Sequence, residues 1–189
     1  LAQHPQEGMA LRCEAEAVTG DEPPGLAALK RLRRLEWCLK EAERLYPPLV
    51  MLMRMVQRPF AVDDHILPPG SMALVSPAVG HRLSDTFANP ERFDPDRFAP
   101  PREEDRATPF SLIGFGGGKH RCLGLAFAHQ QIKIIWTLLL RRFDFKLAGS
   151  APRPDYATWV VGPHGSCRLR YRRRDAKRRS DSLTAAAET

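Results

Sequence analysis

At 189 residues with 43% hydrophobic content, the chain is long enough to bury a core and belongs to the globular class. Its formal net charge of +7 is concentrated in "RLRYRRRDAKRR" (168–179), a solvated charge run, and the remainder carries no nucleic-acid motif with interleaved aromatics. Cys13, Cys38, Cys122 and Cys167 form no CxxC pair, which speaks against a disulfide scaffold or zinc ribbon and for reduced thiols, and no apolar run approaches the ~20 residues that span a bilayer.

In chain order, 1–19 reads as a helix interrupted early by Pro5 and weakened by Gly8, and "GDEPPG" (20–25) breaks it. From Leu26 to Tyr46, leucines at 26, 29, 32, 35, 39 and 45 draw one apolar stripe at helical spacing, and Pro47-Pro48 ends that helix. "LVMLMRMV", "FAV" and "MALVS" are short extended runs, separated by Asp63-Asp64 and by the turn Pro68-Pro69-Gly70. Residues 84–109 carry too many prolines for regular structure and predict a long meandering loop. "CLGLAFAHQQIKIIWTLLLRRFDF" gives the longest helical pattern, with Leu125, Ala128, Ile132, Ile135, Leu138 and Leu139 along one side. "DYATWVVGPHGSCRLRY" predicts a second β stretch, and residues 175–189 have the composition of a disordered basic and polar tail.

The segment "GFGGGKHRCLG" (114–124) carries the densest chemistry. It fails as a Walker A loop, because His120 stands where a Mg²⁺-binding hydroxyl belongs, and as a G-x-G-x-x-G loop, because Lys119 replaces the last glycine. Cys122 instead sits between glycines and a helix start, where free N–H groups, the helix dipole, Lys119 and Arg121 favour a thiolate. Such a cysteine suits a nucleophile or a metal ligand, and a buried cysteine acting as a small hydrophobe is the plainer alternative.

"FGGGKHRCLG" resembles the haem-binding signature F-x-x-G-x-[HR]-x-C-x-G of the cytochrome P450 haem-thiolate monooxygenases at Phe115, Gly118, His120, Cys122 and Gly124. "EAER" is similar to the family's E-x-x-R pair, with Glu41 and Arg44 on one helix face, and "FDPDRF" to its F-x-P-x-R-F. The resemblance implies a mainly α fold with small β regions (α+β), the C-terminal part of the P450 fold, with residues 1–174 as its haem-binding portion. The chain starts at Leu1 without Met, and no [AG]-G-x-[DE]-T helix is present. A piece of a longer protein is therefore expected, inactive by itself and without catalytic residues of its own.

What the family implies for residues follows by position. Haem b would take Cys122 as axial thiolate, with Phe115 beside the sulfur and Gly116 and Gly118 shaping the loop. His120 and Arg54, in "PPLVMLMR", would reach the propionates. Glu41, Arg44 and Arg97 would form a buried triad, Arg92 being the alternative third member. Leu49, Met51, Leu52, Met53, Trp159 and Val160 would face the substrate. The resemblance runs towards sterol 14α-demethylases of the soluble bacterial kind, hence a cytoplasmic setting, or an endoplasmic-reticulum membrane if an anchor lies elsewhere. Lys119, Arg121, Lys133, Arg141 and Arg142 would present a basic surface to a ferredoxin or flavodoxin-like electron donor. A non-catalytic haem-binding or haem-sensing module would use the same cysteine.

Overall fold

Pro5 opens the first helix instead of interrupting it: α1 spans Pro5–Thr19, and proline's missing N–H costs nothing at a first helical position. The computed structural model describes residues 1–158 and 160–174; the expected tail at 175–189 lies outside them. Two units are formed, one from Leu1–Leu39, Leu123–Arg153 and the segment from Pro163 onward, the other from Lys40–Cys122 and Pro154–Gly162.

In the first unit α1 buries Leu11 and Ala15 and ends at Gly20, whose φ of +54 is the left-handed backbone that glycine tolerates. The leucine stripe predicts one helix over 26–46, but the structure has two, α2 at Leu26–Arg31 and α3 at Arg33–Leu45. The break falls at Leu32, which is fully buried. Glu14 of α1 explains it: its carboxylate accepts the main-chain N–H of Arg34 at 2.7 Å and of Leu35 at 3.0 Å. A side chain 20 residues away in sequence thus satisfies amides that a continuous helix would have bonded internally.

The second unit begins within α3 and holds β1 (Leu52–Met55), β2 (Phe60–Val62), β3 (His65–Leu67), β4 (Met72–Val75) and the short helical turn α4 (Pro77–Gly80). β1 pairs antiparallel with β4, Leu52 opposite Val75 and Met55 opposite Met72, and β2 with β3 across Asp63-Asp64. Gly70 closes the Pro68-Pro69 turn at φ +86, its N–H on the Val56 carbonyl at 2.8 Å. The predicted meander contains a 3₁₀ turn at Pro95–Phe98 and α5 at Glu104–Ala107.

Back in the first unit, α6 runs Leu125–Arg142 and stops three residues short of the end predicted at Phe145, without the "FDF" extension. Phe143–Leu147 is strand β5 instead. The short strands β6 (Pro154–Asp155), in the second unit, and β7 (Gly162–Pro163), at its end, follow in the chain, and in the first unit β8 (Leu169–Arg173) pairs antiparallel with β5. Phe143 meets Tyr171 edge-to-face at 5.7 Å, a cross-strand gain that a helical Phe143 would forgo.

The buried face of α6 also differs from the apolar stripe. Lys133, Thr137, Leu140 and Arg141 are buried, while Ile135 is 46% exposed. Lys133 and Arg141 go inward because the first unit supplies their partners. Glu36 of α3 takes both Lys133 Nζ and, at 3.4 Å, His129 Nδ1, and its carboxyl is pulled down to about 2, first by the His129 hydrogen bond and then, against the cost of burial, by Lys133. Arg141 donates to the Glu22 carbonyl at 2.7 Å and to Thr19 Oγ1 at 3.2 Å. These pairings correct the expected basic surface: Lys133 and Arg141 are interior struts, and only Lys119, Arg121 and Arg142 of that set are exposed.

Candidate functional site

The best-defined cluster is charged and wholly buried. Glu41 and Arg44 lie one turn apart on α3, and Arg97 enters from the 3₁₀ turn; all three have zero exposure. Arg44 grips Glu41 with two prongs, Nε to Oε2 at 2.7 Å and Nη2 to Oε1 at 2.9 Å. Arg97 Nε sits 3.1 Å from either oxygen, and the Asp94 main-chain N–H adds a fourth donor at 2.8 Å. Charges this deep need such saturation, since neither solvent nor salt helps them.

Arg92, the alternative third member, keeps its side chain exposed and lends only its carbonyl, at 3.3 Å to Nη2 of both Arg44 and Arg97. Sequence reasoning missed three further members. Glu104 accepts from Arg97 Nη1 at 2.6 Å, so the cluster holds two carboxylates against two guanidiniums. Phe87, fully buried, lies 5.2 Å from the Arg44 guanidinium and 6.0 Å from that of Arg97. His81, also at zero exposure, accepts Arg44 Nη1–H on its carbonyl at 2.8 Å, while its Nδ1 meets the Arg44 carbonyl at 3.3 Å. No spacing in the sequence marks any of them; each is set by a loop path that tertiary packing fixes.

His81 Nε2 accepts the main-chain N–H of Ile113 at 2.9 Å, and the glycine segment begins at the next residue. Because Ile113 donates, Nε2 carries no proton, so Nδ1–H is the donor to Arg44. Burial, outweighing its hydrogen bond to Arg44, lowers His81 to about 4, so the ring is neutral at pH 7. Gly116 N–H returns to the Ile113 carbonyl at 2.8 Å, and Cys122 N–H bonds the Phe115 carbonyl at 2.8 Å. Gly116 has φ +74, and a Cβ there would lie 2.9 Å from the His120 carbonyl oxygen; Gly118 has φ +58 with open space around it. The loop thus folds back on itself and ends at an exposed, unbridged Cys122 thiol.

The other residues named from sequence lie around the second unit. Phe115 is half-buried, and His120, Lys119 and Arg121 are exposed on and beside the 3₁₀ turn Gly118–His120. Arg54 is exposed on β1, its Nη1 on the Met53 carbonyl of its own strand at 2.7 Å. Leu49, Met51 and Met53 are exposed and Leu52 half-buried. Leu49 pairs across an antiparallel bridge with Val160, and Val161 N–H reaches the Pro48 carbonyl at 2.8 Å. Val160 and Val161 therefore lie beside Pro48 and Leu49, just before β1. Trp159 lies outside the described residues.

Among the described residues no group of three or more His, Cys, Asp or Glu side chains is arranged to hold a metal ion. A lone exposed thiol with glycine-loop amides suits a metal whose remaining positions are filled by its own macrocycle, and the bare apolar surface of Met51, Met53 and Val160 suits a large flat apolar group. The residues present fit haem.

The sequence model of the family "Cytochrome P450" matches residues 1–166. The obtusifoliol 14-alpha demethylase of Sorghum bicolor is 47% identical over 143 residues, 72% of this chain and 29% of that protein. The sterol 14alpha-demethylase of Mycolicibacterium vanbaalenii is 39% identical over 177 residues, 92% of this chain and 39% of that one. Among solved structures, the retinoic acid bound cyanobacterial CYP120A1 superposes with a TM-score of 0.85 at 26% identity, over 92% of this chain and 40% of that one. The chain therefore spans at most about two-fifths of the length of these relatives.

Proposed function

This chain belongs to the cytochrome P450 family, and on that footing we propose that it is the haem-binding part of a monooxygenase in which Cys122 is the axial thiolate ligand. The observation that carries the reading is Cys122 itself, an exposed thiol closing a self-bonded glycine loop, at the signature position of a segment that matches the family along 1–166. When bound, haem supplies O₂ activation with two electrons from a donor, and thiolate ligation favours O–O cleavage.

The chain's own residues do the rest. Gly116 and Gly118 let the backbone turn tightly enough for amides to face the sulfur, and Phe115 flanks it. His120 and Arg54, both exposed, are the donors for the propionates. Leu49, Met51, Leu52, Met53 and Val160 form an apolar wall for the substrate. Lys119 and Arg121 attract an acidic ferredoxin or flavodoxin-like donor. Among the described residues no helix is long and apolar enough to cross a membrane.

The substrate we propose is a sterol, oxidised at its 14α-methyl group in three successive rounds. The demethylase relatives support this. The reduced CO-difference spectrum of the full-length protein, beside Cys122→Ala, tests the ligand. The thiolate-type Soret band is expected to vanish in the variant, and its persistence overturns the assignment. Titration with a 14α-methyl sterol tests the substrate: a saturable Soret shift is expected, and none at any concentration removes sterols from the reading.

A further inference from the structure

We propose that His81 is a positioning residue that holds the main chain at Ile113, and through it the Cys122 loop, in register with helix α3. That the loop carries a metal ligand rests on the proposed function; the mechanical link does not. The imidazole is clamped at both nitrogens and its own carbonyl is used, so Arg44 and His81 hold each other reciprocally. Ile113 is then the hub of the loop: its N–H is fixed by His81, its carbonyl by Gly116 N–H, and two residues on, the Phe115 carbonyl holds Cys122 N–H. A second contact keeps the loop start against α3, since a Cβ on the buried Gly114 would stand 2.6 Å from Glu43 Oε1.

An acceptor at the Nε2 position is the requirement, and two substitutions separate it from the donor. Glutamine reaches that position with a carbonyl oxygen, whereas asparagine keeps a donor towards Arg44 but falls short of Ile113. The test is amide hydrogen exchange in the full chain at pH 7. Ile113 is expected to exchange roughly tenfold faster in His81→Asn and His81→Leu, and within roughly threefold of the native rate in His81→Gln. An unchanged Ile113 rate in His81→Asn overturns the proposal.

Should the variants not fold, ¹⁵N spectra of the native imidazole decide. A neutral ring protonated at Nδ1 supports the link, and a proton on Nε2 at pH 7 refutes it. If Ile113 behaves as expected while Cys122→Ala keeps its Soret band, the ligand reading fails and the positioning role stands. The reverse pattern removes His81 alone.

Discussion

Replacing Glu41 by Gln changes no volume but removes the charge on which two fully buried guanidiniums converge. Glu41 accepts from Arg44 at 2.7 and 2.9 Å, from Arg97 at 3.1 Å and from Asp94 N–H at 2.8 Å. In the variant one acceptor oxygen becomes an NH₂ facing other donors, and Arg44 is left with carbonyls alone, whereas Arg97 keeps Glu104. Two charge-assisted hydrogen bonds are lost at roughly 1.5–3 kcal/mol each, in line with the ~3–5 kcal/mol that breaking a buried pair costs. With an m-value of about 2 kcal/mol/M, the urea midpoint should fall by roughly 1.5–2.5 M. Arg44→Met on top of Glu41→Leu should cost less than the sum of the two single changes, because the double variant leaves no lone charge from that pair. A Glu41→Gln shift below about 0.5 M, the level of an exposed ion pair, would refute the reasoning.

The pH dependence of stability has two windows. His81 falls from its ordinary 6.5 to about 4 in the folded chain, so the unfolded chain takes up the proton first. Stability is full above about pH 6.5, declines on acidification to about pH 4 and levels below, by at most ~3 kcal/mol, and His81→Gln should flatten that slope in urea midpoints. Glu36, lowered from 4.5 to about 2, gives stability that is present above pH 4.5 and lost on falling towards pH 2. With its side chain 30% exposed, roughly 1–2 kcal/mol is expected, and Glu36→Gln should abolish that limb. Gly116→Ala should destabilise more than Gly118→Ala, by about 1–2 kcal/mol, since both are strained by φ but only Gly116 also meets a main-chain oxygen; equal midpoints would contradict the loop geometry. Lys133→Glu should unfold the chain in milder urea, not alter the salt dependence of electron transfer, which Lys119→Glu should weaken.

What the sequence made legible was periodic or motif-bound. Helix α6 follows an apolar repeat, the glycine segment carries a specific signature, and Glu41 with Arg44 shows i, i+3 spacing on a helix that Pro47-Pro48 ends. What it hid was decided by partners distant in the chain. Glu14 splits the leucine helix by capping α3, and Glu36 draws Lys133 inward so that the buried face of α6 is partly ionic. Arg97 and Arg92 look alike in sequence; the fold separates them by giving Arg97 the two carboxylates of Glu41 and Glu104. An isolated His81 between a strand and a proline-rich loop gives no signal at all, because its role depends on which amide the returning chain presents.

The buried cluster and the cysteine loop are therefore one mechanical system with two different tolerances. Glu41, Arg44 and Arg97 have no exposed surface, so they cannot touch a ligand, and their substitution acts through stability. The loop from Gly116 to Cys122 is half-buried to exposed, so most of its substitutions act on what it binds. His81 and the Glu43 contact with Gly114 are where one reaches the other. Cutting the bond to Ile113 while keeping the donor towards Arg44, the purpose of His81→Asn, should loosen the loop first, because the amide at Ile113 has a single acceptor whereas Glu41 retains four donors. The loop is the softer element by construction, and its geometry is only as fixed as the imidazole that ties it down.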